Sequence, residues 1–196
     1  SDAQMRMMFQ QEFEAVKAFT LREVGELELP LRTADAYCGM SSYLNLLHTL
    51  ALQSTGAKIS FAAPLTYNGS VEPGTLIYND LFTIYPYENQ LYVMGMTGSE
   101  IKNYLEYSYE NWINTYAGPN ANLLKIRTNP DTNNWSFAAP SYNFDSAGGI
   151  NYVVDVTKPY AVEFVDHVVT EIVKMHEEAG YPLQQFNIGG DEVPKG

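Results

Sequence analysis

A chain of 196 residues, 45% apolar and 13% aromatic, has material for one sizeable core plus at most a fragment, which excludes a disordered polymer. Its formal net charge of −12 offers no positive face, so neither nucleic acid nor an anionic membrane is expected as a partner. The single cysteine, Cys38, excludes an intrachain disulfide and a thiolate metal cluster, and reads as a small hydrophobe.

No apolar run approaches the ~20 residues of a membrane span. The N-terminal stretch SDAQMRMMFQQEF lacks the apolar core of a signal peptide and starts at helical spacing, as a piece of a longer protein would. Residues 4–18 predict an amphipathic helix with Met5, Met8, Phe9, Phe13 and Val16 near one face. VGELELPL (24–31) alternates as a strand closed by Pro30. SSYLNLLHTLALQSTG (41–56) predicts a helix capped by Ser41 or Ser42 and ended by Gly56. AKISFAA (57–63) reads as a short buried strand stopped by Pro64, and a polar loop follows over 66–74. LFTIYPYENQLYVMGM (81–96) reads as strand, corner, strand. Thr97 and Glu100 stand at capping-box spacing, so a helix of about four turns should follow. Residues 117–141 are rich in Asn, Pro, Thr and Ala, with a strand expected at LLKIRT (123–128). NFDSAGGINYVVDV (143–156) supplies a glycine turn and an alternating strand.

At KPY (158–160) the character changes. AVEFVDHVVTEIVKMHEEAG predicts an uninterrupted helix stopped by Gly180, and YPLQQFNIGG a strand ending at Asp191 and Glu192. Helix, loop, strand and carboxylates form one step of a parallel α/β fold, a rhythm missing from the first 158 residues. A boundary is therefore placed near Pro159, and no internal repeat is seen.

Several chemistries have no motif here. No glycine-rich turn opens a helix as a phosphate cradle, and no Gly-x-Ser-x-Gly elbow occurs. His48, His167 and His176 share no metal-ligand spacing, and MHEEAG is not a zinc motif because one histidine precedes both glutamates.

Residues 1–158 do resemble a known family. SYLNLLHTLALQSTGAKISFAAPLTYNGSVEPGTLIYNDLFTIYPYENQLYVMGMTGSEIKNYLE followed by YNFDSAGGINYVVDVTKP is similar to the C-terminal domain of the 5'-nucleotidase family. The resemblance implies an α+β fold, a mixed sheet with flanking helices. In that family an N-terminal metallophosphatase domain holds two metal ions and hydrolyses the ester, while the C-terminal domain stacks the nucleoside base between two aromatic rings. Tyr87 and Phe144 fall at the two stacking positions, and Asp155 falls where a carboxylate lies near the ribose hydroxyls. A flat aromatic face contributes roughly 1–3 kcal/mol per stacked base, largely regardless of base identity. The competing reading is that both are ordinary core aromatics.

The departures from the family pattern matter as much. Where the family carries an Asn-Gly-Gly-Gly-Ile-Arg loop, this chain has AAPLTY, with Ala62 in place of Asn and Tyr67 in place of Arg. Gly39 stands near the place of a further arginine. Neither residue reproduces the bidentate contacts of a guanidinium, so a nucleoside or nucleotide would be bound weakly or with altered specificity. The metallophosphatase domain is not in this chain. The chain alone is therefore expected to bind and not cut, with no cofactor or metal of its own. The family is typically exported, and its members serve nucleotide catabolism.

The tail resembles a different enzyme. EFVDHVVTEIVKMHEEAGYPLQQFNIGGDEVPKG is similar to part of the family 20 β-N-acetylhexosaminidases, TIM-barrel enzymes in which the position of Glu192 is the general acid and that of Asp191 steadies the substrate's acetamido group. A full barrel takes ~250 residues, so the pair is expected to be vestigial. A chimeric gene product is the expected origin, and an uncovered apolar helix in the tail would favour a homodimer. Three readings stand: a nucleotide-binding domain, a structural or interaction module, and a hexosaminidase.

Overall fold

The computed structural model describes residues 2–159 and 162–164. The chain opens with two helices, α1 (Asp2–Met8) and α2 (Gln10–Thr20), broken at Phe9. Strand β1 (Glu23–Leu27) follows, then β2 (Leu31–Arg32), a 3-10 turn (Thr33–Cys38), helix α3 (Ser42–Thr55) and strand β3 (Ser60–Ala62). Next come β4 (Ser70–Val71), β5 (Gly74–Ile77), α4 (Tyr78–Ile84) and α5 (Gly98–Glu110). The described part closes with β6 (Ile126–Thr128), β7 (Trp135–Phe137), β8 (Ser146–Gly148), β9 (Tyr152–Val154) and β10 (Val162–Phe164).

The expected α+β class with flanking helices is the observed one. Among the described residues the strands form five separate two-stranded ladders, β1–β5, β2–β4, β3–β8, β6–β7 and β9–β10. All five are antiparallel.

Local signals placed α3 and α5. Ser41 Oγ accepts the Leu44 N–H at 3.1 Å, and Gly56, at φ 70°, returns its N–H to the Leu52 carbonyl at 2.9 Å. On α5 the Thr97 hydroxyl accepts the Glu100 N–H at 3.3 Å, while the Glu100 carboxylate accepts the Thr97 N–H at 2.7 Å.

Two expectations give way. Residues 81–96 have the pattern of strand, corner, strand, but Leu81–Ile84 finish helix α4, and no helix or strand lies between Tyr85 and Met96. The helix begins where it does because Asp80 accepts the Ile77 N–H at 2.9 Å, a bond that alternation of apolar residues does not announce. The helix expected from Ala161 is also overturned at its start. Val162–Phe164 instead form β10, paired with β9 as Val162↔Val154, Glu163↔Val153 and Phe164↔Tyr152. Valine and phenylalanine favour strands, and an available edge at β9 decides the matter.

Two cores result. Leu31, Ala36, Tyr43, Leu44, Val71 and Ile84 pack between α3, α4 and the β2–β4 ladder. Tyr37, Leu105, Tyr109, Trp112 and Phe144 form the other, an aromatic cluster beneath α5. His48 of α3 links the helix to the β3–β8 ladder, with Nδ1 2.8 Å from Ser60 Oγ and Nε2 3.3 Å from Ser146 Oγ. A Cβ on Gly148 would stand 2.5 Å from the His48 ring, so glycine is what allows the helix to sit this close.

Candidate ligand-binding site

The spacing of α3 gives it two working faces. Tyr43, Leu44 and His48 turn to the protein interior, while Leu46, Leu47, Leu50, Ala51 and Ser54 form one wall of a cavity of about 850 Å³. Phe61, Ala62, Ala63 and Leu65, from β3 and the loop after it, continue the wall. Leu76, Leu81 and Ile84 contribute further hydrocarbon.

The remaining side is aromatic and polar. Tyr85, Tyr87, Asn89, Gln90 and Leu91 come from the irregular segment after α4, and Tyr142 and Asp145 from the turn before β8. Asn89 Nδ2 donates to the Tyr85 hydroxyl at 2.8 Å. The Tyr104 hydroxyl donates to Asp145 Oδ2 at 2.5 Å, and Ser108 Oγ donates to the Asp145 carbonyl at 2.7 Å, so α5 fixes the Asp145 side of the cavity. Burial pushes the Asp145 carboxyl above its usual range, with the Tyr104 hydrogen bond working in the opposite sense. Burial and the neighbouring carboxylate both raise the Tyr104 phenol.

Of the residues singled out from the sequence, Tyr87 lines this cavity and is 50% exposed. Phe144 does not line it. Its ring is fully buried, stacked on Trp112 with centroids 5.2 Å apart and planes at 10°, and meets Phe137 edge-on at 5.5 Å. A ring with both faces in the core has none to offer a base, so this assignment is corrected to a packing role. Tyr142, two positions earlier, is 55% exposed and does line the cavity. Tyr142 sits within the short 3-10 turn Ser141–Asn143 and faces out, while Phe144, directly after the turn, faces in. The sequence carried a signal for this, since PSYNF offers two aromatics and only one can complete the core.

Asp155 also stands apart from the cavity. Its carboxylate accepts from the Thr157 N–H at 3.0 Å and from the Thr157 hydroxyl at 2.6 Å, and it pairs with Lys158 Nζ at 3.0 Å. These bonds pull its pKa down to about 2 and hold the turn that leads towards β10. Tyr67 packs on Trp135 and Phe137, with centroids 4.9 and 5.6 Å apart, and Gly39 ends the 3-10 turn at φ 126°. Asp191 and Glu192 lie outside the described residues. Among the described residues there is no group of three or more His, Cys, Asp or Glu placed to hold a metal ion, and no helix is long and apolar enough to cross a membrane.

Comparison with known proteins matches residues 23–187 to the family described as "5'-nucleotidase, C-terminal domain". The chain belongs to this family. The match runs through Pro159 and ends at Asn187. A trifunctional nucleotide phosphoesterase of Bacillus subtilis is 36% identical over 95 residues, covering 47% of this chain and 6% of its own length. The protein UshA of Yersinia enterocolitica is 26% identical over 166 residues, covering 76% of this chain and 30% of its own. A 2',3'-cyclic-nucleotide 2'-phosphodiesterase/3'-nucleotidase of Salmonella typhimurium is 31% identical over 112 residues, covering 52% of this chain and 16% of its own. The chain thus spans between 6% and 30% of the length of these relatives. A crystal structure from Staphylococcus aureus, described as that of a 5'-nucleotidase in complex with α-ketoglutarate, superposes with a TM-score of 0.57 at 18% identity. It covers 79% of this chain and 29% of that one, and at this identity it shows the fold.

Proposed function

We propose that this 5'-nucleotidase C-terminal domain binds the nucleoside part of a substrate and leaves hydrolysis to a separate metal-bearing domain. The observation that carries the reading is the cavity of about 850 Å³, with its hydrocarbon wall on α3 and the rings of Tyr87 and Tyr142 among its lining. A site of this size and mixture suits a planar base attached to a hydroxylated sugar. The apolar wall accepts the base, the rings offer faces for stacking, and Asn89, Gln90 and Asp145 offer donors and acceptors. The names of the relatives, a nucleotide phosphoesterase and a 3'-nucleotidase, point to the same class of ligand.

Tyr142 takes the role first given to Phe144 in this reading, and Tyr87 keeps its own. Calorimetric titration of the chain with adenosine should give saturable binding, weakened about five- to a hundredfold by Tyr87→Ala or Tyr142→Ala, the loss of one stacked face. Both side chains are about half exposed, so the thermal midpoint of each variant should stay close to that of the parent. Absence of binding at millimolar adenosine would refute the reading and favour a structural or interaction module.

A further inference from the structure

We propose that the cavity selects the uncharged nucleoside over its phosphorylated form, which makes the domain a binder of the hydrolysis product in preference to the substrate. The inference rests on the nucleoside-binding reading above and adds a charge rule to it.

The rule comes from the composition of the walls. Among the described residues lining the cavity there is no lysine, arginine or histidine. The polar groups are neutral, the phenols of three tyrosines, the amides of Asn89 and Gln90 and the Ser54 hydroxyl, with one exception: the carboxylate of Asp145. The histidine nearest in sequence to the wall, His48, does not line the cavity and bonds to Ser60 and Ser146. The end of β3 and the loop after it bring only Ala62, Ala63 and Leu65, with Pro64 among them, so they present side chains without a donor and lack one backbone N–H.

A phosphate monoester carries about −1.5 to −2 charge at neutral pH and needs cations or several N–H donors when removed from water. The described walls of this cavity would desolvate it without a cation and place it beside a carboxylate. A ribose hydroxyl meets the opposite situation, because Asp145 can accept from it. A phosphorylated ligand can therefore seat its base here only with the phosphate turned out to solvent or towards another domain.

The test is titration of the full chain with adenosine and AMP at low and at physiological salt. Adenosine should bind tighter than AMP by about two- to a hundredfold at low salt, the size of one like-charge pair at roughly 6–8 Å between the aqueous and the protein-surface dielectric. The gap should narrow as salt screens the repulsion. Asp145→Asn, which keeps an oxygen for Tyr104, should narrow it further, and the salt series on the unmodified chain decides the question if that variant folds poorly. AMP binding as tightly as adenosine, or a gap indifferent to salt, overturns the selection while leaving nucleoside binding in place. Failure of adenosine itself to bind removes the reading beneath it as well.

Discussion

His48 illustrates how one side chain ties a helix to a ladder. It is buried, and both ring nitrogens face hydroxyls, Ser60 on one side and Ser146 on the other. Hydroxyls can donate or accept, so either neutral tautomer is satisfied. Burial lowers its pKa from the usual 6.5, because the charged ring is cut off from water. The sign follows. An unfolded chain binds a proton at about pH 6.5, and the folded one resists until lower pH, so the stabilisation is complete above 6.5 and is lost as pH falls towards the folded value. Thermal midpoints taken between pH 7.5 and 5 should fall more steeply for the parent chain than for His48→Gln. Parallel curves would mean that the imidazole does not titrate with unfolding. The same scale separates Phe144 from Tyr142, one ring enclosed by Trp112 and Phe137 and the other half exposed at the cavity. Burial decides which of the two rings is available to the cavity.

At the scale of elements, caps made helices readable and pairing made strands unreadable. The Thr97–Glu100 box closes both of its bonds at the start of α5, and Glu100 is held below its usual pKa by bonds to the Thr97 backbone and hydroxyl. Thr97→Ala should lower unfolding stability by about 1 kcal/mol, read from the denaturant midpoint at unchanged slope. A loss no larger than that of an ordinary surface substitution would show that α5 is held by packing alone. Ser41 and Gly56 frame α3 in the same local way, which is why the expected limits 41–56 and the observed Ser42–Thr55 nearly coincide. The segment after Ile84 is different. LYVMGM has the residues of a strand, yet Leu91, Tyr92, Val93 and Met94 are 62–79% exposed, and no ladder includes them among the described residues. A strand exists only where another strand receives it, and that information is not in its own six residues.

At the scale of the whole molecule, two cores flank a cavity whose walls come from distant parts of the chain. The α3 face, the segment 85–91 and the turn at 142–145 meet only because β3 pairs with β8, joining Ser60 to Gly148 and Ala62 to Ser146. Hydrolysis in this picture belongs to another domain. With AMP and a divalent metal such as Mn²⁺ supplied, the chain should release no phosphate above the protein-free rate, as followed by a colorimetric phosphate assay. Release that scales with protein and survives repurification would assign it chemistry of its own.

The amino-acid sequence by itself determined the family, the α+β class and the two capped helices, because these depend on composition, order and contacts a few residues apart. Tertiary structure alone decided that Phe144 is core and Tyr142 is wall, that Asp155 holds a turn, and that residues 162–164 join β9. Each of those outcomes depends on which partner a ring, a carboxylate or a strand edge meets in the assembled fold: Trp112 for Phe144, Thr157 and Lys158 for Asp155, and β9 for residues 162–164.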